Sequence, residues 1–192
     1  MRDRLFNNYG FTLIELLVVI SLLSVLSVFI APKISSYLRT ESGNFILLTT
    51  VISRTFDDSF IHGKGNFLAI HLDQPSVDEI DKNEDFYRRQ NGISVVNVDF
   101  DGLITDSKNV LLKPRVFSNN FLIDEVLLSN GEKITNGTVL IPFQPEGYSD
   151  NAIIHIRTGN EGTFSVVISK FSKEPKILPE YIDFASLWSN EK

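Results

Sequence analysis

The sequence predicts an α+β protein: one long N-terminal helix packed on a head made of an antiparallel β-sheet or β-sandwich. Three observations predict it. Apolar residues run almost unbroken from Phe11 to Ala31, with Glu15 as the single charge. They then recur at three and four residues as far as Phe60, and from Asn66 onward the period shortens to two, in short runs separated by turn residues. At 192 residues and 21.7 kDa the chain holds one domain and an appendage. A charged content of 22% and a mean hydropathy of +0.04 exclude a disordered chain, and the lack of cysteine excludes a disulfide framework, a thiolate metal site and a thiol nucleophile. The formal charge of −6 argues against non-specific attraction to nucleic acid or anionic lipid.

Residues 11–31, FTLIELLVVISLLSVLSVFIA, suffice to cross a bilayer as a helix of about 20 residues. They exceed the roughly 7 to 15 apolar residues of a cleaved secretory signal. Arg2 and Arg4 precede the span, so the positive-inside rule leaves the N-terminus in the cytoplasm and residues 33–192 outside. Glu15 is the anomaly, because a carboxylate inside a bilayer helix costs roughly 2.5 to 3.5 kcal/mol and usually marks a pairing partner. The bland alternative is that it sits near the cytoplasmic headgroups, partly solvated. Gly10, the only glycine in the first 42 residues, separates the polar leader from the span. Cutting after Gly10 would place a new α-ammonium on Phe11, four residues before Glu15, and supply the missing counter-charge.

The run Gly10-Phe11-Thr12-Leu13-Ile14-Glu15-Leu16-Leu17-Val18-Val19-Ile20 resembles the class III signal of type IV pilins and type II secretion pseudopilins. The resemblance implies a pilin-like fold in three parts: a cleaved leader over 1–10, a transmembrane and assembly helix over 11–32, and a periplasmic head over 33–192. It implies cleavage between Gly10 and Phe11 by a prepilin peptidase, N-methylation of Phe11, and a Glu15 that pairs with the amine of a neighbouring subunit. Pro32 falls where many members bend or locally melt the helix. The implied partners are other pilins or pseudopilins through this helix, the peptidase, the inner membrane and an assembly platform, with no cofactor.

Ile34, Tyr37, Leu38, Phe45, Leu48, Ile52, Phe56 and Phe60 form one apolar helical stripe, loosened at Gly43 and stopped at Gly63-Lys64-Gly65. Strands are expected near Phe67–Leu72, Ile93–Phe100, Val110–Phe117, Phe121–Leu128, Thr138–Phe143, Ala152–Arg157 and Thr163–Phe171. Asp101-Gly102, Asn130-Gly131 and Asn136-Gly137 are hairpin-turn dipeptides, and Pro114 places its strand at an edge. The charged stretch 73–91 reads as a loop or short helix. Ser53-Arg54, Phe60-Ile61-His62-Gly63 and Phe67 to Leu72, with Ile141-Pro142-Phe143-Gln144-Pro145-Glu146-Gly147, resemble the helix-to-strand passage and the Phe-x-Pro-x-Gly turn of the GspH/FimT class of minor pseudopilins and minor pilins. Against that class, 73–92 looks like an insertion and the tail after Pro179 is long.

Catalytic signatures are missing: there is no nucleophile elbow, P-loop, dinucleotide fingerprint or zinc-protease motif. His62, His71 and His155 lack metal-ligand spacing. Asp99-Phe100-Asp101-Gly102 with Asp106 is read as a hairpin turn in preference to a calcium loop, and Asn136-Gly137-Thr138 as a turn in preference to a glycosylation site. Tyr181, Phe184, Leu187 and Trp188 fall at helical spacing after Pro179, as a core cover or a partner contact. Lys170, Lys173 and Lys176 form the most basic patch of the head, diluted by Glu174 and Glu180. What the resemblance implies is the function of a minor pseudopilin of a type II secretion fibre, and no motif points to an enzyme. The alternative, a FimT-like minor pilin for pilus assembly or DNA uptake, needs a basic surface, whereas residues 33–192 hold 16 basic and 22 acidic residues.

Overall fold

The computed structural model describes residues 13–74, 76, 84–99, 101–159 and 162–189, and among these the side chains of all but 23–42, 84, 188 and 189. The chain divides into two compact units, Met1–Thr40 and Glu41–Lys192. Helix α1 spans Leu13–His62 and is unbroken through Pro32 and Gly43. It stops where expected. Gly63 takes the left-handed conformation at φ 61°, and the Lys64 amide donates to the Ser59 carbonyl at 3.3 Å, which satisfies one of the helix's last acceptors.

Among the described residues of the second unit, eleven strands form two antiparallel sheets. The first has the order β3-β2-β1-β7-β8, built from β1 (Asn66–His71), β2 (Gly92–Val98), β3 (Ile104–Asp106), β7 (Thr138–Gln144) and β8 (Tyr148–Ser149), with β4 (Arg115–Val116) also paired to β2. The second has the order β11-β10-β9-β5-β6, built from β5 (Phe121–Leu128), β6 (Lys133–Ile134), β9 (Ala152–Thr158), β10 (Gly162–Ile168) and β11 (Lys176–Leu178). Short helices α2 (Glu84–Tyr87) and α3 (Phe184–Ser189) complete the head. This is the α+β, pilin-like architecture of a helix with an antiparallel β head.

The core draws on all three layers. Leu48, Val51 and Ile52 of α1 meet Leu68, Ile70, Val95 and Ile141 of one sheet and Phe121, Ile123, Val126, Ile154 and Ile156 of the other, with Phe45 and Phe56 packed beside them. Burying each such side chain stabilises the fold by about 1.5 to 3 kcal/mol. Each sheet also has a covered outer face. Phe86 and Tyr87 of α2 close over Ala69 and Val96, while Ile182, Phe184 and Leu187 of the tail close over Ile153 and Val167. That is why β1 and β9 are buried on both faces.

Several expectations are corrected here. Residues 110–117 are not one strand: Asn109 caps a single 3₁₀ turn over Val110–Leu112, its side chain accepting from the Leu111 amide, and only Arg115–Val116 pairs. Pro114 does stand beside an edge. Asn136-Gly137 closes no hairpin, because β6 lies in one sheet and β7 in the other; Gly137 takes φ 82° where the chain changes sheets. Asp101-Gly102 and Asn130-Gly131 do join paired strands. Phe60 lies with Phe56 beside Gly147 but is exposed, and Val51, not read as core, is buried. The strand expected to run to Phe171 ends at Ile168. Gly92 is needed for close approach, since a Cβ there would run into the Arg115 carbonyl oxygen of β4.

Candidate functional site

The N-terminal turns of α1 bear the chemistry that the sequence singled out. From Leu13 to Leu22 every described side chain is exposed, including Leu13 at 82% and Ile14 at 72%, with Leu16, Leu17, Val18, Val19, Ile20 and Leu22. A helix apolar all round is buried by lipid or by other helices and not by water. Ser21 turns its hydroxyl back to the Val18 carbonyl at 2.8 Å, which removes a polar group from that surface. Glu15 stands in the first described turn as its acidic residue, exposed and ahead of the apolar turns that follow. A carboxylate at that end of a helix is favoured by the helix dipole. Gly10 and Phe11 lie outside the described residues, as does the side chain of Pro32. Among the described residues no helix is long and apolar enough to cross a membrane; of the expected span, side chains are described only from Leu13 to Leu22.

In the head, two buried histidines lie under the two outer covers. His71 bonds Ser94 Oγ at 2.8 Å through Nε2 and Thr138 Oγ1 at 3.0 Å through Nδ1, with the Phe86 ring edge-on at 5.1 Å. Burial, aided by the Arg89 guanidinium and opposed by Asp106, pushes its pKa down to about 4, so it is neutral at physiological pH. Arg89 grips Asp106 with two bonds of 2.7 and 2.6 Å, which removes that carboxylate from any calcium loop.

His155 lies on the other sheet. Its Nε2 donates to the Ile182 carbonyl at 2.8 Å, its ring stacks on Tyr181 at 4.1 Å, and its Nδ1 is 2.9 Å from Glu125 Oε1 without an aligned hydrogen bond. Glu125 also takes Lys133 at 2.6 Å and the Tyr181 hydroxyl at 2.9 Å. Burial raises the Glu125 pKa, but the bonds from Lys133 and Tyr181 and the charges of Lys133 and His155 outweigh it and hold the carboxyl below its ordinary range. Ser165 completes the seam by donating to the Glu180 carbonyl and accepting from the Ile182 amide.

These groups hold covers in place, and both rings are closed off from solvent. His62 pairs with Asp58 on its own helix, and among the described residues no group of three His, Cys, Asp or Glu is placed to hold a metal ion. The tail, read as core cover or partner contact, is chiefly cover through Ile182, Phe184 and Leu187. Sequence reasoning missed the Glu125–His155–Tyr181 network. The one trace of it in the sequence was the adjacent pair Asp124-Glu125 in the middle of β5, where strict alternation leaves room for one polar residue on the outer face and not for two in a row.

Residues 5–31 match the family model for the prokaryotic N-terminal methylation motif. No curated protein and no solved structure matches the chain. The motif, of the type IV prepilin kind, implies processing by a prepilin peptidase and assembly with other pilins. Together with the α+β head, it supports a type IV pilin-like or pseudopilin protein in the general sense, membrane-anchored and incorporated into a fibre.

Proposed function

We propose that the chain is a minor pseudopilin of a type II secretion fibre, of the GspH/FimT class, which acts by polymerisation and contact without catalysis. In this reading residues 1–10 are removed between Gly10 and Phe11, Phe11 is N-methylated, 11–32 anchor in the inner membrane and then in the fibre, and 33–192 form the periplasmic head. Glu15 neutralises the Phe11 amine of a neighbouring subunit, and Pro32 bends the helix.

The observation that carries the reading is the apolar surface of Leu13 to Leu22 with Glu15 at its leading end. Such a helix is useful only among lipids or other helices, and a carboxylate inside a bilayer helix usually marks a pairing role. The acidic excess of the head favours the secretion fibre over the DNA-uptake pilus, since a nucleic-acid surface requires clustered cations. Two measurements test it. Glu15→Val should keep the chain in the membrane yet abolish its crosslinking to partner subunits; undiminished crosslinking refutes the pairing role. Deleting the gene should stop exoprotein secretion and leave DNA uptake intact, and the reverse pattern would establish the minor-pilin alternative.

A further inference from the structure

We propose that the groove between the β10–β11 connection and α3 docks a segment of another protein that carries an apolar side chain beside a carboxylate. This stands on the groove itself and does not depend on which fibre the chain joins. The groove has a volume of about 540 Å³; Val167, Phe171, Phe184 and Leu187 give it apolar walls, and Lys170 and Lys176 line it with positive charge. That volume falls in the roughly 300 to 1,000 Å³ range of pockets that enclose a ligand group. Phe171 is 78% exposed, a large apolar surface that folding of this chain leaves in water.

Charge selects the occupant. The Lys170 ammonium lies 5.3 Å from the Tyr148 ring centre and 5.5 Å from that of Phe171, so two aromatic faces hold it in place. Among the described residues no carboxylate pairs with Lys170 or Lys176, in contrast to the neighbouring Lys173, and these two cations, unlike the other unpaired ones of the head, line the apolar groove. Two cations without counter-ions, beside an apolar pocket on an acidic head, complement a carboxylate next to an apolar side chain. Nucleic acid would meet these two cations inside a repelling field. An acyl chain would leave both ammoniums unanswered.

The groove is also pre-formed. The Lys170 amide donates to Asn151 Oδ1 at 2.7 Å, its carbonyl accepts from the Ser149 amide at 2.9 Å, and the Ser172 hydroxyl closes the turn on the Glu174 carbonyl. Binding therefore orders little new chain.

The test replaces Phe171 by the photocrosslinker p-benzoylphenylalanine in the full chain, in its native cells. Phe171 is too exposed for this to disturb the core. Irradiation should give an adduct with a different protein, whose crosslinked peptide, once sequenced, places an apolar residue next to or one position from an Asp or Glu. Its yield should fall about tenfold in the Lys170→Glu/Lys176→Glu background and stay unchanged in Lys108→Glu, with circular dichroism of all three matching the parent. No adduct, an adduct only with lipid, nucleic acid or a second copy of this chain, a peptide without the carboxylate, or a yield indifferent to the double charge reversal would each overturn the proposal.

Discussion

Glu125 and His155 face each other on the outer side of the second sheet, with Nδ1 2.9 Å from Oε1, because a bulge in β5 shifts the register between Ile123 and Glu125. Phe121 and Ile123 pair inward with Thr158 and Ile156, and beyond the bulge Val126 pairs inward with Ile154. Asp124 is the extra residue, so it and Glu125 both leave the core, Asp124 to Arg157 at 2.8 Å and Glu125 to the tail network. The bulge thus re-aims a carboxylate that regular alternation would have buried among isoleucines.

Glu125→Gln keeps the shape and removes the charge that Lys133 and Tyr181 approach. We expect a loss of about 1 to 3 kcal/mol in urea unfolding at neutral pH. The folded pKa is depressed below the reference 4.5, so in the parent the contribution is full above that value and is lost as pH falls from there through the lower folded pKa; the variant should lack this part of the acid limb. Equal stability of parent and variant at neutral pH would show that the network does not hold the tail.

His71 gives a second pH signature. Its folded pKa of about 4 lies below the reference 6.5, so its stabilisation is complete above pH 6.5 and is lost as pH falls towards 4. The difference corresponds to about 3 kcal/mol. His71→Gln should flatten the unfolding profile between those values, and a parent profile already flat there would contradict the buried neutral ring.

On α1, Ile52→Ala should cost about 2 to 5 kcal/mol, because Ile52 is in the shared core. Ile46→Ala, at 65% exposure on the same helix, should stay within about 0.5 kcal/mol of the parent. Thermal melts of the two compared with the parent separate helix packing from helix propensity.

What was legible in the sequence was local. Leu48 and Ile52 announce themselves by spacing, Gly63 by its place after the stripe, and the prepilin run by being contiguous. Val110-Leu111-Leu112 misleads because its composition suits a strand, while the Asn109 cap decides for a turn. Tyr181 and Glu125 are 56 positions apart and meet only once both the tail and the bulge are in place, so no short window contains their relation. Phe60 fits the helical stripe by position and lies beside Gly147, yet it is exposed, which spacing alone does not tell.

Residues 41–192 expressed alone should be folded and soluble, since the shared core lies wholly inside that unit. The fragment's acidic excess should make any binding to DNA weak and steeply lost with salt. Submicromolar, salt-tolerant binding to duplex DNA in a gel-shift titration would overturn the secretion reading in favour of DNA uptake.

The central claim is that this chain is a processed prepilin, and intact mass analysis of the protein purified from membranes tests it most directly. The mature chain should begin at Phe11 and be heavier by one methyl group on its amine, and the Gly10→Val chain in the membrane should keep the residues before Phe11. A mature N-terminus at any other residue, or a parent chain that keeps its leader as the Gly10→Val chain does, would contradict the account.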